Sequence, residues 1–120
     1  MGEALRVVNG YLDAFTAGDY DEAGEWVTDG FSFAGPIAQY ETKEAFFAGA
    51  AGLLTILRGH ELLHQWEDGD DVCSVYHLNL ETPVGKGSIF TSEWNRVHDG
   101  RVTSSRLVFD TAQFRALLPA

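Results

Sequence analysis

The spacing of apolar side chains changes at Gly59, and this change constrains the fold more than any other feature of the sequence. Before it, Leu5, Val8 and Leu12 recur every three or four residues, which is typical of a helix that buries one face. After it, apolar and polar residues alternate, and three turn-forming stretches divide the chain into four strands. Helices followed by hairpin-linked strands predict an α+β fold with an antiparallel meander sheet.

Local signals place the element ends. Gly18 is a natural helix stop, and Asp19 with Glu22 three residues later resembles a capping box. Thr42 and Asp110 are suited to start two further helices. The predicted helices cover residues 3–17, 19–27, 42–57 and 111–118, and the predicted strands cover 31–33, 59–67, 72–81, 88–97 and 101–109.

Composition narrows the class of protein. The chain has 120 residues, enough for a single domain over 1–120 that buries its own core. Its 18 acidic residues outnumber 8 basic ones, so its surface repels phosphate backbones, and we expect no nucleic-acid partner. A single cysteine, no apolar run near the ~20 residues of a membrane span and no leader-like start predict a cytoplasmic protein without a membrane partner.

A strongly curved sheet that wraps around helices leaves a hollow at its open end, so we predict a cone-shaped domain that encloses a pocket for a small apolar ligand. Phe90 and Trp94 are expected on the opposite sheet face, where they predict a homodimer. The predicted pocket lining is Tyr11, Phe15, Trp26, Phe31, Phe33, Phe47, Leu62, His64, Trp66, Tyr76, Glu93, Asn95, Leu107 and Phe109.

Three stretches carry a family resemblance: Tyr11-x-x-Ala-Phe-x-Ala-Gly-Asp, then Trp-Val-x-Asp-Gly-Phe, and finally Asp99-Gly-Arg-Val with Phe109-Asp110. They resemble the nuclear-transport-factor-2-like superfamily, and within it the SnoaL-like and ketosteroid-isomerase-like proteins. The resemblance covers essentially the whole chain and implies the cone-shaped fold. The superfamily includes isomerases, cyclases, epoxide hydrolases, dehydratases and non-enzymes, so the resemblance favours a pocket rather than one reaction.

The resemblance to ketosteroid isomerases implies only part of a catalytic site. Tyr11 matches the position of their oxyanion-hole tyrosine, and Glu93 lies near the position of their protonated carboxylic acid. Their general base is an aspartate before a proline, whereas Gly35 precedes Pro36 here. Epoxide hydrolases and SnoaL cyclases keep an acid where this chain has Leu107, and the Arg-x-Asp pair of the former is absent from residues 72–81.

The residues themselves support the same chemistry. A tyrosine hydroxyl beside a carboxylic acid that an apolar pocket keeps neutral can stabilise an enolate oxygen, as it does in ketosteroid isomerases. Tyr11 and Glu93 are the predicted pair, and His64 is the predicted base, with His77 as second choice. The structural alternatives are a solvent-facing Glu93, an ordinary packing role for Tyr11 and hydrogen-bonded structural histidines.

His60-Glu61-Leu62-Leu63-His64 matches the H-E-x-x-H pattern of zinc hydrolases. On a helix, the two histidines would lie about 6 Å apart and could share one ion. On a strand, they would be about 13 Å apart and could not. Gly59 before the segment and Asp68-Gly69-Asp70 after it favour the strand, so we predict no metal and no cofactor.

Two functions of different classes therefore remain open at the sequence level. One is a lyase or isomerase for an apolar carbonyl compound, in which Tyr11 and Glu93 polarise the oxygen and His64 moves the proton. The other is a non-catalytic binding module for a small apolar ligand. A zinc hydrolase is a distant third.

Overall fold

The computed structural model describes residues 2–119, which form an α+β domain with four α-helices and six strands. A short 3-10 helix, Ala50–Leu53, follows the third α-helix. The helices are α1 Glu3–Thr16, α2 Tyr20–Glu25, α3 Lys43–Gly49 and α4 Thr111–Ala116, and the strands are β1 Val27–Ala34, β2 Gln39–Tyr40, β3 Leu57–Asp68, β4 Asp71–Thr82, β5 Gly85–His98 and β6 Arg101–Phe109.

All six strands form one curved sheet in the order β2-β1-β6-β5-β4-β3. From β3 to β6 it is the predicted antiparallel meander. The first strand departs from the meander, because β1 pairs in parallel with β6. The two strands are far apart in the sequence and no hairpin connects them, so local sequence signals could not indicate this pairing.

The predicted caps are present. The side chains of Asp19, Thr42 and Asp110 each accept a hydrogen bond from a backbone N–H in the first turn of α2, α3 and α4. The third helix is shorter than predicted, because its last α-helical residue is Gly49 rather than Leu57. Glycine costs helix stability, and Gly52 follows within the 3-10 turn, so the regular helix is not sustained.

Helix α1 packs on the concave face of the sheet and positions the site. Its buried face includes Val7, Val8 and Leu12, which are no more than 1% exposed. Against it lie alternating residues of β4 and β5, such as Val72 and Tyr76. Because strand side chains alternate between faces, every second residue of β4 and β5 points toward the helices.

The convex face of the sheet is apolar and uncovered in the single chain. Its exposed large side chains include Trp66, Phe90, Trp94 and Val108. Phe90 and Trp94 therefore lie on the sheet face that points away from the helices, as predicted. No helix within residues 2–119 is long and apolar enough to cross a membrane.

Candidate functional site

A cavity of about 210 Å³ lies between α1, α3 and the concave face of the sheet. Aromatic and aliphatic side chains form most of its wall. The lining residues are Tyr11, Phe15, Thr16, Phe33, Gly35, Ile37, Ala38, Tyr40, Phe46, Gly49, Ala50, Leu53, Tyr76, Leu78, Leu80, Ile89, Thr91, Glu93, Leu107, Phe109 and Phe114. Among the described residues, Glu93 is the only carboxyl group in this lining, which also contains no histidine.

Glu93 is held at the wall of the cavity by a hydrogen-bond network. The side chain is only 3% exposed. The Tyr76 hydroxyl donates to Glu93 Oε1 at 2.6 Å, and Asn95 Nδ2 donates to Oε2 at 2.9 Å. The network therefore fixes both oxygens of the carboxyl group on the cavity side of β5.

The environment of Glu93 favours its neutral form. Burial raises the pKa of Glu93 above its usual value, because a charged carboxylate is poorly solvated in an apolar wall. Hydrogen bonds from Tyr76 and Asn95 oppose the shift without cancelling it. A buried carboxyl group with a raised pKa is suited to proton transfer.

Two polar atoms beside this network have no hydrogen-bond partner within residues 2–119. They are Oδ1 of Asn95 and the hydroxyl of Ser105, on residues that are fully buried. A buried polar group without a partner lowers the stability of the folded protein. Both atoms are therefore able to form a further hydrogen bond next to Glu93. Rotation of the Asn95 amide would let Oδ1 accept a hydrogen bond from the O–H of a neutral Glu93.

Tyr11 lies in the same cavity wall and is 2% exposed. Burial, followed by the charge of Glu93, raises the pKa of Tyr11 well above its usual value. Its hydroxyl therefore stays protonated at neutral pH and can donate a hydrogen bond. The tyrosine that donates a hydrogen bond to Glu93 is nevertheless Tyr76. Tyr76 was predicted to line the pocket, but no role in proton transfer was predicted for it.

His64 does not line the cavity, and the prediction of its position is wrong. A bulge between Leu62 and His64 shifts the register of β3, so that His64 pairs with Val75 instead of an inward-facing residue of β4. Its ring lies on the exposed convex face against Trp66, with 4.3 Å between ring centroids. His77 is also on that face, in edge contact with Phe90.

Seven of the predicted pocket residues line the cavity, and the others lie elsewhere. Phe31 is fully buried in the core, Asn95 lies behind Glu93, and Leu62 and Trp66 are 43% and 54% exposed. Trp26 packs under the Arg6 guanidinium, and Phe47 packs on Tyr20. The predicted residues that do line it are Tyr11, Phe15, Phe33, Tyr76, Glu93, Leu107 and Phe109.

Several lining residues escaped sequence analysis. Ile37, Ala38 and Tyr40 come from β2 and the turn before it, which carry no strand alternation to mark them. Leu78, Leu80, Ile89 and Thr91 continue the inward alternation of Tyr76 and Glu93, and counting by two along β4 and β5 would have found them. Thr16 lies four residues after Leu12 on the buried face of α1, and helical spacing would have found it.

The H-E-x-x-H segment lies on β3, as the strand interpretation predicted. His60 faces α1, where its Nδ1 is 2.7 Å from the Thr16 hydroxyl, whereas His64 lies on the other face. Within residues 2–119, no three His, Cys, Asp or Glu side chains group closely enough to hold a metal ion.

Known proteins share this architecture. A crystal structure of a Kribbella flavida protein is 29% identical, with a TM-score of 0.79 over 92% of this chain and 89% of that one. An M. tuberculosis LEH-like epoxide hydrolase is 21% identical, with a TM-score of 0.80 over 96% and 89%. A putative SnoaL-like polyketide cyclase from Shewanella denitrificans is 16% identical, with a TM-score of 0.80 over 95% of each chain.

The family assignment rests on sequence as well as on fold. No curated protein matches the chain. The model of the SnoaL-like domain matches residues 8–105, a range that holds both the cavity-facing part of α1 and the Tyr76–Glu93 pair. The chain therefore belongs to the SnoaL-like domain family, whose fold is shared by isomerases, cyclases and epoxide hydrolases.

Proposed function

We propose that this protein is a small-molecule isomerase or lyase that acts on an apolar carbonyl compound, with Glu93 as the proton-transfer group. The observation that carries the proposal is the position of Glu93. It lines an apolar cavity, is almost fully buried and accepts a hydrogen bond from Tyr76. Buried carboxyl groups with raised pKa values are typical of acid–base sites.

In the proposed reaction, the carboxyl group of Glu93 acts first as the base and then as the acid. Ionised Glu93 takes a proton from the carbon next to the substrate carbonyl, and the electron pair of that C–H bond moves into an enolate. The enolate oxygen accepts a hydrogen bond from the Tyr11 hydroxyl. In an isomerase, neutral Glu93 then returns the proton to another carbon of an enolate that is conjugated with a double bond. In a lyase, it gives the proton to the oxygen on the β-carbon as that C–O bond breaks, while the enolate electron pair forms the C=C bond and the C=O bond is restored. Tyr76 and Asn95 hold the carboxyl group in place throughout.

Proton exchange in a simple ketone tests this chemistry. The protein is incubated with acetophenone in D₂O, and loss of the methyl proton signal is followed by NMR. We expect exchange faster than in buffer, and a loss of about 10²- to 10⁴-fold of the acceleration in Glu93→Gln. Glu81→Gln, which changes an exposed carboxyl group paired with Arg58, is the matched control and should exchange like the original protein.

A second candidate function is non-catalytic binding of a small apolar ligand. It is favoured by the absence of a second acid or base from the lining formed by the described residues. Binding of acetophenone without exchange above buffer would support this function and contradict the first. Equal exchange by Glu93→Gln and the original protein would also contradict the role of Glu93.

We further propose that a second copy of this chain covers the convex face. The support is a set of exposed apolar side chains on neighbouring strands, among them Trp66, Phe90 and Trp94. Soluble monomers rarely expose a large contiguous apolar patch. The twofold symmetry of a homodimer would place the same patch on both partners.

A further inference from the structure

Away from Glu93, the residues that line the cavity include hydroxyl groups that the proposed chemistry does not use, and one of them is hydrogen-bonded to a histidine. This group is the hydroxyl of Thr16, on a residue that lines the cavity and is 1% exposed. It lies 2.7 Å from His60 Nδ1 and 2.8 Å from the backbone oxygen of Leu12. Behind it, His60 Nε2 is 3.8 Å from Asp13 Oδ1, which is exposed to solvent.

The number of protons on these atoms fixes what the Thr16 oxygen can do. A hydroxyl has one proton and two lone pairs, and a backbone oxygen can only accept. In one tautomer of His60, the Thr16 hydroxyl donates its proton to the Leu12 oxygen and accepts the N–H at His60 Nδ1; in the other, it donates its proton to an unprotonated Nδ1. In both tautomers the Thr16 proton is used within the protein and at least one lone pair remains, so the Thr16 oxygen is available to a ligand only as an acceptor.

This result does not depend on the charge of His60. Burial lowers the pKa of His60, although Asp13 opposes the shift, so the ring is neutral at pH 7. A protonated ring carries a proton on both nitrogens, so Nδ1 then donates to Thr16 and the Thr16 proton is donated to Leu12. In both states, Thr16 presents the same acceptor.

The secondary structure sets the separation between the two polar groups. Tyr11 and Thr16 are five residues apart on α1, which corresponds to about 7.5 Å along the helix axis. On the facing sheet, His60 pairs with Leu78, two residues beyond Tyr76 on β4, or about 7 Å along the strand. The backbone spacing along both elements is therefore about 7 Å, which leaves room for a one-ring skeleton between the two groups.

We propose that Thr16, held by His60, is a specificity subsite that binds a hydroxyl or N–H donor on the ligand. Combined with the proposed function, on which this inference rests, it defines the substrate class. The substrate is an apolar carbonyl compound with a hydrogen-bond donor at the opposite end of a one-ring skeleton. The remaining lining between the two ends is largely apolar and matches such a skeleton.

Three ketones of nearly equal shape test the subsite. They are acetophenone, para-hydroxyacetophenone and para-methoxyacetophenone, in which the ring carries no group, a donor or only an acceptor. Dissociation constants are measured by NMR titration of the protein. We expect the hydroxy compound to bind roughly five- to tenfold more tightly than the methoxy compound, the usual effect of one hydrogen bond.

Substitutions at Thr16 assign the preference to its oxygen. Thr16→Val replaces the hydroxyl with a methyl group of similar size and should abolish the preference for the hydroxy compound. Thr16→Ser keeps the hydroxyl and should restore it. Thr103→Val is the matched control, because it removes a hydroxyl on β6 that bonds only to the Arg96 backbone. The readout is a ratio between two ligands in one variant, so a general change in cavity shape cancels.

The outcomes separate the subsite from the chemistry. A preference that persists in Thr16→Val, or that is absent from the original protein, overturns the subsite. If that happens while acetophenone exchange still depends on Glu93, the proposed reaction stands alone. If the preference follows Thr16 and exchange is independent of Glu93, the subsite belongs to a binding protein and the proposed reaction is wrong. If none of the three ketones binds, both are wrong.

Discussion

Replacement of Tyr76 by phenylalanine removes one hydroxyl from the centre of the site and changes little else. Tyr76 is 3% exposed, and its hydroxyl lies 2.6 Å from Glu93 Oε1. That distance is in the range of roughly 2.5–2.7 Å found for hydroxyl donors to charged oxygens. Burial raises the pKa of Tyr76 well above its usual value, so the lost group is a neutral donor at all pH values tested.

The cost of Tyr76→Phe should depend on the charge of Glu93. With neutral Glu93, the lost hydrogen bond contributes about 0.5–1.5 kcal/mol to the free energy of unfolding. With ionised Glu93, the bond is charge-assisted and contributes about 1.5–3 kcal/mol. The difference of about 1–1.5 kcal/mol corresponds to a rise of about one pKa unit for Glu93 in the variant.

The direction of the pH dependence follows from proton binding. The folded-state pKa of Glu93 is raised above its usual value of 4.5, so the folded protein binds the proton more tightly than the unfolded chain. Its contribution to stability is fully present below that value and is lost as the pH rises through the folded-state pKa. Tyr76→Phe moves the folded-state pKa higher, so the variant loses more stability at high pH than the original protein.

Urea unfolding between pH 4.5 and 9 measures this difference, and Tyr20→Phe provides the matched control. The Tyr20 hydroxyl donates to the backbone oxygen of Ala50, which does not titrate, and its own pKa is about 12. The control should cost about 0.5–1.5 kcal/mol at every pH. If Tyr76→Phe also lowers the free energy of unfolding by the same amount at every pH, the strength of the Tyr76–Glu93 hydrogen bond does not depend on the charge of Glu93. That result would contradict the prediction.

Three further predictions concern the scaffold. Gly10→Ala should destabilise the fold by about 1–3 kcal/mol in thermal unfolding, because the added Cβ would overlap the Trp26 ring; unchanged stability would contradict the close packing. Asp110→Ala should cost about 1 kcal/mol through loss of the α4 cap, and equal urea midpoints would show that the cap contributes nothing. Phe90→Lys should shift sedimentation from dimer to monomer, whereas an unchanged sedimentation coefficient would contradict the proposed convex-face dimer.

The sequence predicted the fold well because its strongest signals are local. Caps at Asp19, Thr42 and Asp110 and the alternation along β4 and β5 depend on nearby residues only, and the structure contains all of them. The parallel pairing of β1 with β6 depends on distant residues and left no local trace.

The site was predictable only where regular periodicity held. Tyr11, Tyr76 and Glu93 follow the spacing of their elements and line the cavity as predicted. His64 follows a bulge, and one extra residue in β3 moves every later side chain to the other face. Nothing in the sequence around His64 marks that bulge. The histidine that faces α1 is His60, which precedes the bulge and pairs with the inward-facing Leu78.

The parallel pairing of β1 and β6 also determines when the protein can fold during synthesis. Val27 contacts its partner Val102 only after nearly the whole domain has left the ribosome. Until then, α1 and the aromatic residues of β1 have no complete sheet to cover them, and the cavity has no wall on the Leu107 side. Contacts between residues so far apart in sequence slow folding, because a long loop must close first. We therefore expect the nascent chain to expose apolar residues that chaperones can bind until the last strand has emerged.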